Sequence, residues 1–99
     1  MNAEEKLKKN SKLLFKLDLA FESYEDDNNV NIPLLNEVTM EFNEFRKKKE
    51  NMNIEEQHNK TEELLKKYDK VLNIVGRDNF IFYDDGDINY IWKDEKNNG

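Results

Sequence analysis

Between residues 79 and 92 the chain reads Asn-Phe-Ile-Phe-Tyr-Asp-Asp-Gly-Asp-Ile-Asn-Tyr-Ile-Trp. Two runs of aromatic and β-branched residues flank an Asp-Gly pair, a strong short-range signal for a β-hairpin. Register decides what such a hairpin can pack against, because a slip of one residue sends every side chain to the opposite face. A two-residue turn at Asp85-Gly86 would set Asp84 opposite Asp87 and split the apolar residues between both faces. A three-residue loop, with a type I turn over Asp84-Asp85 and Gly86 left-handed, pairs Tyr83 with Asp87 instead. That register gathers Phe80, Phe82, Ile88, Tyr90 and Trp92 on one face and leaves Ile81, Tyr83, Asp87, Asn89 and Ile91 on the other. A lone two-stranded hairpin is marginal in water, so the apolar face is expected to roof a set of helices.

The residues before it supply those helices. Leu7, Leu14, Leu17, Phe21 and Tyr24 form one stripe of a first helix over residues 3–24. Leu13, Phe15, Leu19 and Ala20 widen the stripe and predict burial on two sides. Glu25, Asp26, Asp27, Asn28 and Asn29 read as a loop. Asn31 is the expected cap of a second helix, with Pro33 in its first turn and Leu34, Leu35, Val38, Phe42 and Phe45 facing inward. Arg46 to Lys49 at its end suits the helix dipole, which explains the basic cluster without a phosphate ligand. Asn53 and Glu56 have capping-box spacing, and a third helix is expected over residues 54–75, ending at Gly76. Its stripe is Leu64, Leu65, Tyr68, Val71, Leu72 and Val75; residues 55–63 are almost wholly polar and expected to project into solvent or meet a partner. The expected fold is therefore mainly α with a C-terminal β-hairpin (α+β), three helices followed by a two-stranded antiparallel hairpin. Residues 1–93 form a single domain and residues 94–99 a polar disordered tail.

Composition limits the function more than it defines it. With 99 residues, 36% hydrophobic and 38% charged, the core is thin, yet eleven aromatics give it something to bury. There is no cysteine, hence no disulfide and no thiolate metal site. The first residues lack the apolar core of a signal peptide and no run reaches membrane-spanning length, so a cytoplasmic protein without a membrane partner is expected.

Candidate chemistry is sparse. Asp84, Asp85 and Asp87 suggest a cation loop, but an EF-hand register with Gly86 at its sixth position puts Ile81, Tyr83 and Trp92 where charged ligands belong. His58 is the only histidine, and with Glu62 it makes two of the three or four ligands that zinc requires. It reads as an exposed helical side chain. The paired carboxylates Glu55-Glu56 and Glu62-Glu63 lie on polar helical stretches where nothing raises a pKa. No glycine-rich loop cradles phosphate. No catalytic residue, metal site or cofactor is expected, and the chain reads as no enzyme.

Three helices and a hairpin in this order resemble a winged helix, which would imply nucleic-acid binding. Against it stand helices of about twenty residues, three aspartates at the wing tip and a net charge of −6. What remains is a small acidic protein-binding module that docks on a basic partner surface through Glu25, Asp26, Asp27, Asp84, Asp85 and Asp87. Immunity proteins, antitoxins and phage-encoded accessory inhibitors share this composition. The alternative is a homo-oligomeric structural protein, whose thin core and open hairpin edges suit pairing between chains.

Overall fold

The computed structural model describes residues 2–90. It contains α1 (Ala3–Asn28), α2 (Pro33–Lys48), a 3-10 turn at Lys49–Asn51, α3 (Ile54–Val75), a second such turn at Arg77–Asn79, and strands β1 (Phe80–Phe82) and β2 (Ile88–Tyr90). α1 and α3 form the main helix pair and α2 packs on α3, whereas α1 and α2 make only slight direct contact. The hairpin lies on this frame, with β2 against α1. No helix among the described residues is long and apolar enough to cross a membrane.

The core forms where the three stripes meet. Leu14, Leu17 and Phe21 of α1, Leu35, Val38, Phe42 and Phe45 of α2, and Leu64, Tyr68, Val71 and Leu72 of α3 are buried, joined by Phe80 and Ile88 from the hairpin. Each such side chain contributes about 1.5–3 kcal/mol by leaving water. Phe15 and Leu19, expected to widen the buried face of α1, stay 46% and 47% exposed. α2 stands too far from α1 to cover them.

Helix ends account for the other departures. α1 runs four residues beyond its expected end, so Glu25, Asp26 and Asp27 sit on its last turns and not in a loop. Acidic residues do not break a helix; this one stops where Asn29 turns left-handed at φ 51° and its N–H reaches the Glu25 carbonyl. The Asn28 side-chain amide donates to the Tyr24 carbonyl at 2.9 Å, which holds that final turn. Ile32, not Asn31, caps α2, because Pro33 forces the residue before it into an extended conformation. Ile32 has no capping side chain, and its N–H donates instead to the Glu25 carboxylate at 3.4 Å. Asn53 caps α3 as expected, accepting from the Glu56 N–H at 2.8 Å.

The polar first half of α3 is tied down more than its composition suggests. Thr61 is fully buried and donates its hydroxyl to the Gln57 carbonyl at 2.6 Å. The Gln57 amide donates to the carbonyls of Lys49 and Met52, at 3.0 and 2.9 Å, so the α2–α3 corner anchors this half. Lys67 and Glu41 join α3 to α2 at 2.6 Å.

The hairpin adopts the three-residue-loop register. Phe80 pairs with Tyr90, Ile81 with Asn89 and Phe82 with Ile88. The Tyr83 N–H donates to the Asp87 carbonyl at 2.9 Å, and the Gly86 N–H closes the turn on the Tyr83 carbonyl at 3.0 Å. Gly86 has φ +93°, a conformation that side chains rarely adopt. Phe80 seats edge-on against Phe21 with centroids 5.2 Å apart, and Ile88 is buried beside it. Phe82 shares their face but is 47% exposed. It lies at the edge of the groove lined by Leu13 and Leu17 of α1 and Leu65 and Leu72 of α3, which it does not fill. Trp92, Ile91 and the expected tail at residues 94–99 lie outside the described residues.

Candidate partner-binding site

The two acidic segments singled out in the sequence lie at opposite ends of α1. The hairpin starts at Phe21 and Tyr24, whose rings meet Phe80, and runs back along the helix until Asp84, Asp85 and Gly86 share a hollow with Glu5, Lys8, Lys9, Lys12 and Leu13. From there to Glu25–Asp27 is about 22 Å along the helix axis. They do not form one surface.

Their electrostatic settings also differ. Asp87 forms an ion pair with Lys16, and its N–H donates to the Asp85 carboxylate at 2.9 Å. Lys8, Lys9 and Lys12 line the same hollow as Asp84 and Asp85, so the tip lies in a positive field and is not a free anionic prong. At the other end no basic residue occupies the last turn of α1. Asp26 and Asp27 are exposed there, next to the partly buried Glu25.

Glu25 belongs to a larger arrangement that sequence reading missed. Because α1 and α2 stand apart, a cleft of about 330 Å³ opens between them. Asp18, Glu22 and Glu25 line one wall, Asn36, Thr39 and Asn43 the other, with Phe21 and Leu35 at the base. Spacings of four and three on α1, and of three and four on α2, put each trio on a single helix face. The carboxylate stripe was visible in the helical phase; that it faces an amide-and-hydroxyl stripe is a product of the packing. Asp18 is the innermost carboxylate. It accepts a hydrogen bond from the Tyr68 hydroxyl at 3.4 Å. Burial pushes its pKa above the ordinary value, opposed by that hydrogen bond and by the charge of Arg46. Burial likewise raises the Tyr68 phenol, reinforced by the nearby Asp18 charge. The chemistry on offer is a concave surface rich in hydrogen-bond acceptors and negative charge, suited to a guanidinium or ammonium group.

Other features carry less. Arg46 lies over the rings of Phe15 and Phe42, 5.7 and 5.1 Å from their centroids, so the basic end of α2 is partly engaged. His58 is half-buried, contrary to expectation; its Nε2 lies 3.1 Å from Glu62, and its Nδ1 is buried without a hydrogen-bond partner. Among the described residues no three His, Cys, Asp or Glu side chains are placed to hold a metal ion. An apolar groove of about 620 Å³ between α1 and α3 is floored by Leu13, Leu17, Leu65 and Leu72, with Phe82 at its edge.

No protein-family model matches the chain, and neither the curated proteins nor the solved structures yield a match.

Proposed function

We propose that the chain is a non-enzymatic binding module, of the inhibitor, immunity or antitoxin kind, that seats a basic segment of a partner protein in the cleft between α1 and α2. The observation that carries this reading is the facing of Asp18, Glu22 and Glu25 by Asn36, Thr39 and Asn43 across an open cleft. A guanidinium brings five N–H donors in a rigid plane, and such walls offer acceptors on both sides of it. Asp26 and Asp27 extend the negative surface past the cleft mouth, and the net charge of −6 steers a basic partner toward the protein. The hairpin tip contributes less, since Asp87 is already paired with Lys16 and the hollow that holds Asp84 and Asp85 is lined by lysines of α1.

Calorimetric titration with an oligo-arginine peptide tests the reading. Binding is expected to weaken as salt rises. The Asp18→Asn/Glu22→Gln/Glu25→Gln variant keeps the side-chain size and one acceptor oxygen at each position but removes the charge, and should bind at least about tenfold more weakly. Asp84→Asn/Asp85→Asn should stay within about twofold of the parent. If the cleft variant binds as the parent does, the assignment fails.

A further inference from the structure

One face of α1 is left open between α2 and the hairpin. Lys8, Lys12, Phe15, Leu19, Glu22 and Asp26 recur along it at steps of four, three, four, three and four, the spacing of a two-helix seam. At about 100° per residue they fall within a stripe about 80° wide. The cleft lined by Glu22 borders it on one side, and the hollow where Leu19 meets β2 borders it on the other. Phe15 and Leu19 at its centre are half exposed, with Arg46 resting on the Phe15 ring. Two lysines stand at its N-terminal end and two carboxylates at its C-terminal end. Among the described residues none of these four forms an ion pair. Carboxylates near a helix C-terminus also oppose the helix dipole, so the pattern does not serve α1 by itself.

We infer that this face is a twofold interface with a second copy of the chain. Two α1 helices laid antiparallel about a dyad at residue 17 put Phe15 of each on Leu19 of the other. Lys12 then faces Glu22, and Lys8 faces Asp26, because the members of each pair are equally distant from that midpoint. Symmetry repeats every contact, so an apolar centre is framed by four pairs of opposite charge. A parallel pairing would set lysine on lysine and carboxylate on carboxylate. The seam from Lys8 to Asp26 is about 27 Å long. It takes up Glu22 at the cleft edge but leaves Asp18 and Glu25 open, and it does not rest on the proposed basic ligand.

Sedimentation velocity of the full chain from about 5 to about 500 µM tests this pairing. The parent is expected to pass from an 11.9 kDa monomer to a dimer. Glu22→Lys/Asp26→Lys makes the stripe wholly basic and should weaken association at least about tenfold. In dilute solution that variant should nonetheless melt higher than the parent, because lysines suit the end of α1; a misfolded variant would not. Mixed with Lys8→Glu/Lys12→Glu, whose stripe is wholly acidic, it should associate again as a one-to-one heterodimer. A parent that stays monomeric throughout overturns the inference. So does a dimer that Glu22→Lys/Asp26→Lys leaves intact, as pairing through the hairpin edges would, or two folded variants that fail to associate when mixed.

Discussion

Tyr68 stacks on Phe21 with ring centroids 5.7 Å apart and planes only 11° from parallel. Phe21 also meets Phe80 edge-on, and Tyr68 meets Phe42 in the same way, at 6.4 Å. One aromatic chain thus links the hairpin, α1, α3 and α2. Phe21→Ala should cost about 3–5 kcal/mol, which is most of the stability of a domain this small. Thermal unfolding followed by circular dichroism should show a partly unfolded protein at room temperature. A loss below about 1 kcal/mol would mean that the hairpin does not dock through Phe21.

The loop at Gly86 offers a finer probe. A methyl group there meets nothing within 4 Å, so Gly86→Ala strains only the backbone, at φ +93°. The expected cost is about 1–2 kcal/mol, concentrated in the hairpin. Amide exchange should accelerate at Tyr83, whose N–H donates to the Asp87 carbonyl, while Tyr68 and Val71 in α3 keep their protection. Uniform acceleration across α3 would show that hairpin and helices open together.

Asp18 makes stability depend on pH in a definite direction. Its pKa is raised in the folded protein, so folding disfavours the ionised form. The resulting cost is fully present above the folded pKa and disappears as pH falls below the unfolded value of 3.8. Asp18→Asn keeps an acceptor for the Tyr68 hydroxyl and removes the charge. It should raise the melting temperature by a few degrees at neutral pH, with the gain vanishing near pH 3. A variant less stable than the parent at neutral pH would mean that Arg46 stabilises the carboxylate more than burial costs it.

Lys16 and Asp87 join α1 to the hairpin loop at a partly exposed position. Lys16→Gln should cost no more than about 1 kcal/mol, and the cost should shrink in high salt. A larger loss that ignores salt, measured by denaturant unfolding, would mean that Lys16 acts through packing.

Much of this fold was legible because several local signals agreed. The hairpin register followed from two facts: like charges avoid facing each other, and only the three-residue loop gathers the apolar residues on one face. The caps at Asn53 and Gly76 were local too, although Gly76 ends α3 at φ 105° and ψ 119° and not in the left-handed helical conformation expected of it. Signals that depend on distance between elements were not legible. The end of α1 hinged on Asn29, not on the acidic residues before it. The exposure of Phe15, Leu19 and Phe82 came from where α2 and α3 stand. Lys16 and Asp87 are far apart in sequence, so the balancing of the hairpin tip was invisible. The cleft was half-visible: Asp18, Glu22 and Glu25 share a face in any helix, but the facing Asn36, Thr39 and Asn43 require the packed pair.

The most direct measurement is a ¹⁵N–¹H correlation spectrum of the labelled chain titrated with the oligo-arginine peptide. The cleft assignment predicts shifts clustered at Asp18, Glu22 and Glu25 and at Asn36, Thr39 and Asn43, fading as salt is added. Shifts centred on Asp84, Asp85 and Asp87, or spread evenly over the acidic surface, would contradict it.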